Sequence, residues 1–348
     1  YTPMKLWGKD TTLSEEIEKF TIGMDQQLDL QLAPFDVLGS MAHAQMLCKI
    51  GLLTDQEWRQ LQDGLTHIYQ EIQQGDFVIE DTFEDVHSQV EFMLTERLGA
   101  IGKKIHSGRS RNDQVLLDIK LFLRNELKDL SHLVAGFIET LLELSEKYKD
   151  VIIPGYTHMQ AAMPSSFGLW FGAYAETLVD DLKFLKAAFD IVNQNPLGSA
   201  AGYGNSFPLD RELTTELLGF EDLHIISVAA QMSRGKAEVA VAFAVSALSS
   251  TLSKMAMDIC LYNSQNFGFL SFLTARQGAS TVTGLDYLPE VVEGAGHLAS
   301  VLGYENVFFK TFDIEKPAKD IGKFDIAMLL DFFGKSNIRK RKVLGLLE

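Results

Sequence analysis

The chain has 348 residues, 46% of them hydrophobic, and a formal net charge of −16. This composition excludes a disordered chain and leaves apolar side chains enough for one large or two to three ordinary domains. The acidic balance excludes a basic stripe able to neutralise a phosphate backbone, so nucleic acid is not an expected partner and any anion must be met by a local cluster of cations.

Short helices are expected first, over 13–20, 35–50, 55–74 and 84–98, with breaks at Gly51 and Gly75–Asp76. Met4 is the expected start, with residues 1–3 as upstream read-through. No signal peptide and no apolar run of about 18 residues is expected, so the expected location is cytoplasmic and no membrane partner is expected. Cys48 and Cys260 lack metal-like spacing and suit free thiols in a reducing compartment. In FEDVHSQVE, residues 83–91, Asp85 and His87 open a helix, where they either support a binding site or simply answer the helix dipole.

The next segment, IHSGRSRNDQ at 105–114, holds two glycine-flanked arginines among hydroxyl and amide side chains. Arg109 and Arg111 are suited to gripping carboxylates, with Ser107, Ser110 and Asn112 as further donors. The plainer alternative is a solvated loop in which Asn112 or Asp113 caps the following helix.

Three long helices follow, each marked by apolar residues stepping alternately by four and three positions. The first stripe is Leu123, Leu127, Leu130, Val134, Phe137, Leu141 and Leu144; the second runs from Phe171 to Val192; the third is Val241, Val245, Leu248, Leu252, Met255, Ile259 and Tyr262. Between the first two lies the loop PGYTHMQAAMPSS, 154–166, which groups Thr157, His158 and Gln160. A histidine near its ordinary pKa moves protons at neutral pH, and its neighbours can hold polar groups; a capping histidine is the alternative. A Gly/Ser/Asn-rich crossover, 196–211, joins the second and third stripes. From about residue 273 the pattern changes to strand, helix over 289–302, strand, strand, which implies an α/β unit with parallel strands.

KLWGKD, DVLGSMAHAQML with Asp36, Ser40 and His43, EDVH, HSGRSRNDQ and GYTHMQ occur in this order over residues 4–272. Together they resemble the argininosuccinate lyases of the fumarase/aspartase superfamily. HSGRSRNDQ is the most specific of them. The resemblance implies a mainly α fold, with a small helical domain (1–105) ahead of a long-helix bundle (106–272), and a homotetramer whose sites each draw loops from three subunits. It also implies a β-elimination that splits argininosuccinate into arginine and fumarate without cofactor or metal. Carried over by motif, His158 is the acid/base histidine; Ser110, Arg111 and Asn112 hold the succinyl carboxylates; Thr157 and Gln160 position substrate; Asp85, His87 and Arg109 support the site.

The family's mobile serine loop, roughly Gly-Ser-Ser-x-Met-Pro-x-Lys-x-Asn, has no counterpart, since no Gly-Ser-Ser occurs in the chain. Two bundle helices and the C-terminal small domain of the family are likewise not found, which implies impaired activity because such residues act as a unit. Residues 266–347 instead resemble a fragment of a class I S-adenosylmethionine-dependent methyltransferase, a partial Rossmann-like unit over 273–348. That resemblance places Gly268 at the nucleotide turn, Asp286 on the ribose about 20 residues later, and Asp313 near the adenine. The chain therefore reads as a chimaera joined within NFGFLSF, with an inactive structural lyase relative and a methyltransferase bearing a helical appendage as the rival functions.

Overall fold

Helix α1 (Asp25–Lys49) starts ahead of its expected first residue, 35, because Pro34 lies inside the helix rather than before it. Leu30, whose carbonyl loses its donor to the proline, is exposed, so solvent can replace the bond. Helix α2 (Asp55–Gln74) has the expected limits. Thr54 and Glu57 form a reciprocal capping box at its start, and Gly75 ends it at φ 79°. Helix α3 (Val86–Leu98) is capped by Asp85, whose carboxylate accepts the Ser88 N–H at 2.9 Å, and runs into a 3-10 turn at Gly99–His106. Leu47, Leu61, Leu65, Val86, Leu94 and Ile105 close the core of this layer.

The computed structural model describes residues 23–80, 82–158, 160–263, 269–276, 278–286 and 289–312. The expected helix at 13–20 and the expected last strand, KFDIAMLLDFF, lie outside them. Two compact units are present, Tyr1–Leu248 and Ser249–Glu348.

The first unit continues with α4 (Arg111–Lys147), a hairpin of antiparallel strands β1 (Ile152–Thr157) and β2 (Gln160–Ser166), and α5 (Phe167–Val192). Along α4 the buried seam of Leu127, Val134 and Leu141 repeats every heptad, as the stripe predicts. α5 folds back along α4. Gly168, at the start of α5, is pressed against the end of α4, since a Cβ there would lie 2.5 Å from Lys149 Cα and 2.6 Å from the Ser145 carbonyl oxygen. At the other end Arg124 donates to Asn193 Oδ1 and to the Leu218 and Gly219 carbonyls.

The segment read as a loop at 154–166 is largely this hairpin. Pro154 and Pro164 face each other across it, so neither strand offers an N–H at that pair, and the local pattern reads as a turn. The crossover carries a two-residue parallel pair, β3 (Gln194–Asn195) with β4 (Asp222–Leu223), and helix α6 (Arg211–Leu217). A single helical turn α7 (Ser227–Met232) precedes α8 (Lys236–Asn263).

α8 departs most from its expectation. Its buried positions are Ala237, Ala244, Leu248 and Thr251, while Val245, Leu252 and Ile259 of the predicted seam are exposed. Phe243 meets Phe184 of α5 edge-on at 5.7 Å between ring centroids. The expectation of no membrane-length apolar run is also corrected: a window within Ser227–Tyr262 has mean hydropathy 1.5, with 17% of it buried, so this segment is long and apolar enough by composition. The reason is the run VAVAFAVSAL, in which small alanines raise the mean without filling a core.

In the second unit, α9 (Phe269–Arg276) precedes β5 (Val282–Asp286), α10 (Pro289–Val301) and β6 (Val307–Thr311). β5 and β6 pair in parallel from Val282↔Val307 to Asp286↔Thr311, as the alternation predicts. Gly284 is required by contact, since a Cβ there would fall 2.5 Å from the Phe309 ring.

Candidate active site

The GRSRND segment is shaped by the start of α4. Ser110, not Asn112 or Asp113, is the N-cap: its Oγ accepts the Asn112 N–H at 3.3 Å, and Asp113 Oδ1 returns a bond from the Ser110 N–H at 2.9 Å. The second oxygen of Asp113 reaches the crossover, where it accepts the Gly198 and Ala200 N–H groups, each at 2.9 Å. Those turns hold Gly198 at φ 85° and Ala200 at φ 51°. Asn205 of the crossover donates to the Gly108 carbonyl, and Arg234, between α7 and α8, donates to the Asn112 carbonyl, so the loop is fastened from both sides.

Arg111 is gripped by the start of α3. Its Nη1 lies 2.8 Å from Asp85 Oδ2, and its Nη2 donates to Ser88 Oγ at 3.0 Å. Asp85 is thus both helix cap and arginine anchor. Arg109 turns inward, donating to Ser40 Oγ at 3.0 Å, and burial lowers its pKa against the pull of Asp36, Asp113 and Asp118. His43 is buried and donates its Nε2–H to the Ser107 carbonyl at 2.9 Å; burial and then Arg109 push its pKa down to about 3, so it is neutral.

His87, 2% exposed, has its Nδ1 2.8 Å from Asp36 Oδ1 and 3.6 Å from Asp118 Oδ2. Burial works against its charge, but Asp36, Asp118 and Asp85 together raise its pKa to about 9. The buried Asp36 carboxyl is held low: burial raises it, and His87, Arg109 and Gln114 outweigh burial. Asp118 is pushed well up by burial and by Asp36. The sequence reading did not single out Ser88, Gln114 or Asp118, because a periodic pattern assigns polar residues to the solvent face.

Ser110, Arg111, Asn112, Asp85, His87 and Arg109 therefore share one end of α4. Thr157 and His158 do not. They lie at the tip of the β1–β2 hairpin, both exposed, with His158 at φ 51° and Thr157 paired with Gln160, which opens β2. The hairpin follows the far end of α4, whose 37 residues make it about 55 Å long. Within one protomer the histidine and the arginine cannot serve one substrate. Gly268 and Asp313 lie outside the described residues, and Asp286 ends β5.

A family model described as "Lyase" matches residues 5–282, and the chain belongs to that lyase family. The match runs past residue 272, where the resemblance was expected to end. Curated relatives named argininosuccinate lyase come from Parabacteroides distasonis, 57% identical over 289 residues, 83% of this chain and 65% of the relative, and from Thermotoga neapolitana, 39% identical over 76% of this chain and 67% of the relative. The chain thus spans about two thirds of the length of these relatives. Among solved structures, an EDDS lyase in complex with formate is 28% identical over 73% of this chain and 50% of that chain, with a TM-score of 0.61. A fumarate lyase:delta crystallin from Brucella melitensis bound to cobalt, 19% identical over 68% of this chain and 56% of its own, has a TM-score of 0.60 and supports the fold.

Proposed function

We propose that the chain is an argininosuccinate lyase, a carbon–nitrogen lyase of arginine biosynthesis that splits argininosuccinate into arginine and fumarate, with activity lowered by the missing serine loop. The observation that carries this reading is the HSGRSRND segment, folded against Asp85 and Ser88 at the start of α4 in a chain whose relatives bear that name. Ser110, Arg111 and Asn112 bind the succinyl carboxylates, with Asp85 and Ser88 fixing the guanidinium plane. Thr157 and Gln160 position the substrate, and His158 moves the proton to the departing guanidino nitrogen. Removing the proton beside a carboxylate builds negative charge, which Arg111 and the N–H groups at the start of α4 stabilise. No step requires a metal or cofactor.

The separation of about 55 Å between the two ends of α4 supports a site shared among copies. The exposed seam of α8 supports a homotetramer in which other copies cover it. Residues 273–348 read as a methyltransferase-like remnant, supported by the parallel β5–α10–β6 order with Asp286 at a strand end, and the whole as a chimaera of two genes. The three-part division at 105 and 272 follows from that reading.

Fumarate release from argininosuccinate, followed by absorbance with His158→Asn as the control, tests the function. Slow release above the control is the expected result. Release equal to the control from a tetrameric protein would replace this reading with a non-catalytic structural relative. Sequencing source DNA across codons 260–285 tests the chimaera; an uninterrupted lyase frame there would remove the tail.

A further inference from the structure

Beside the inward-turned Arg109, Asp36 of α1, His87 of α3 and Asp118 of α4 meet with 0%, 2% and 0% exposure, and one ligand atom from each lies within 4.8 Å of the others. The cluster holds more acceptors than donors. Asp36 Oδ1 takes both the His87 ring N–H and the Gln114 amide. Asp36 Oδ2, Gln114 Oε1 and both oxygens of Asp118 are enclosed and receive no hydrogen bond among the described residues. A buried carboxylate without donors is costly by several kcal/mol, so something positive is called for.

The enclosed oxygens of Asp36, Gln114 and Asp118 converge with the His87 ring on one point, the donor set of a metal ion. We propose that Asp36, His87 and Asp118 form a binding site for one divalent transition-metal ion, with Gln114 Oε1 as a fourth ligand.

One imidazole nitrogen with carboxylate oxygens suits zinc, cobalt(II) or manganese(II), and does not suit magnesium or calcium, which prefer all-oxygen shells. Metal bonds of about 2.0–2.2 Å set ligand atoms roughly 3.3 Å apart in a tetrahedron. The observed 2.8 and 3.6 Å from His87 Nδ1 to the two carboxylates bracket that spacing. Binding exchanges the His87 proton for the ion and ties α1, α3 and α4 at one point. The ion is structural: of the residues read as supporting the site it binds only His87, and it touches none of those that hold the substrate or move its proton. The rival occupant is a proton on Asp118.

The test uses the full chain, stripped with EDTA and incubated overnight with zinc sulfate or cobalt chloride, then dialysed and analysed for bound metal, with calorimetric titration at pH 7 and 8. One ion per chain is expected, with affinity about tenfold tighter per pH unit as one proton is released. Asp118→Asn mimics the protonated acid in shape and charge, so it is expected to fold, as circular dichroism in EDTA will report, and to weaken this binding about 100-fold. Ion pairs at the surface, such as His67 with Glu71 and His106 with Glu91, hold stray metal independently of Asp118. Equal metal uptake by wild type and Asp118→Asn, or no uptake by either, overturns the proposal and leaves the proton as occupant. Zinc-dependent elevation of the melting temperature in the wild type alone would confirm it.

Discussion

Replacing Asp113 by alanine isolates what fastens the arginine loop. The carboxylate accepts three backbone N–H groups, Ser110 through one oxygen and Gly198 and Ala200 through the other, all at 2.9 Å. Burial pushes its pKa up although these bonds and Arg109 pull it down, so the charge itself does not favour folding. The loss on substitution comes from stranded donors. The Gly198 bond is fully buried and loses about 1–3 kcal/mol, whereas the Ser110 and Ala200 bonds are partly reachable by water and lose less, for a total of about 3 kcal/mol. Asp113→Asn keeps one accepting oxygen and turns an NH2 toward the other donors, so it should recover roughly half, about 1–2 kcal/mol. Urea unfolding followed by far-ultraviolet circular dichroism measures both. A loss under about 1 kcal/mol for Asp113→Ala, or an asparagine variant worse than alanine, would refute the assignment of Asp113 as the clamp between loop and crossover.

His87 gives a pH signature in metal-free protein. Its folded pKa of about 9 lies above the free value of 6.5, so the stability it adds is full below about pH 6.5 and is lost as pH rises through 9. The unfolding free energy from urea titration should fall between pH 7 and 9.5, by up to about 3 kcal/mol, and His87→Gln should flatten that fall; an equal decline in the variant would show that other groups cause it. In the second unit, Gly284→Ala drives a methyl into Phe309 and should destabilise that unit by about 1–3 kcal/mol, with Phe309→Leu restoring part of the loss. A thermal scan showing Gly284→Ala as stable as wild type would contradict the close approach of β5 and β6.

Much of this architecture was legible locally. Thr54, Glu57 and Gly75 announce the limits of α2, and the heptad of Leu127, Val134 and Leu141 announces α4. The hairpin was not legible, because prolines 154 and 164 are strand-breakers anywhere except opposite each other, and that pairing is a nonlocal fact. Pro34 misplaced the start of α1 for a similar reason. In the site, the arginine motif was readable as chemistry, but its division of labour was not. Arg109 and Arg111 look alike in sequence, and only folding gives one to Ser40 in the interior and the other to Asp85 and Ser88 at the rim. Asp118 was hidden because buried carboxylates defy the rule by which periodicity is read, whereas Asp36 was visible only as part of a motif.

Helix α4 acts as a ruler between the arginine loop and the hairpin histidine. Each residue inserted or deleted along it moves the far end by about 1.5 Å and swings it about 100°, so single insertions misaim His158 however conservative they are. An insertion of seven residues nearly restores the heading, leaving an error of about 20°, but lengthens the span by about 10 Å. Substitutions on the solvent side of this stretch should therefore be tolerated where insertions and deletions are not, and changes of length should be tolerated only in the loops on either side.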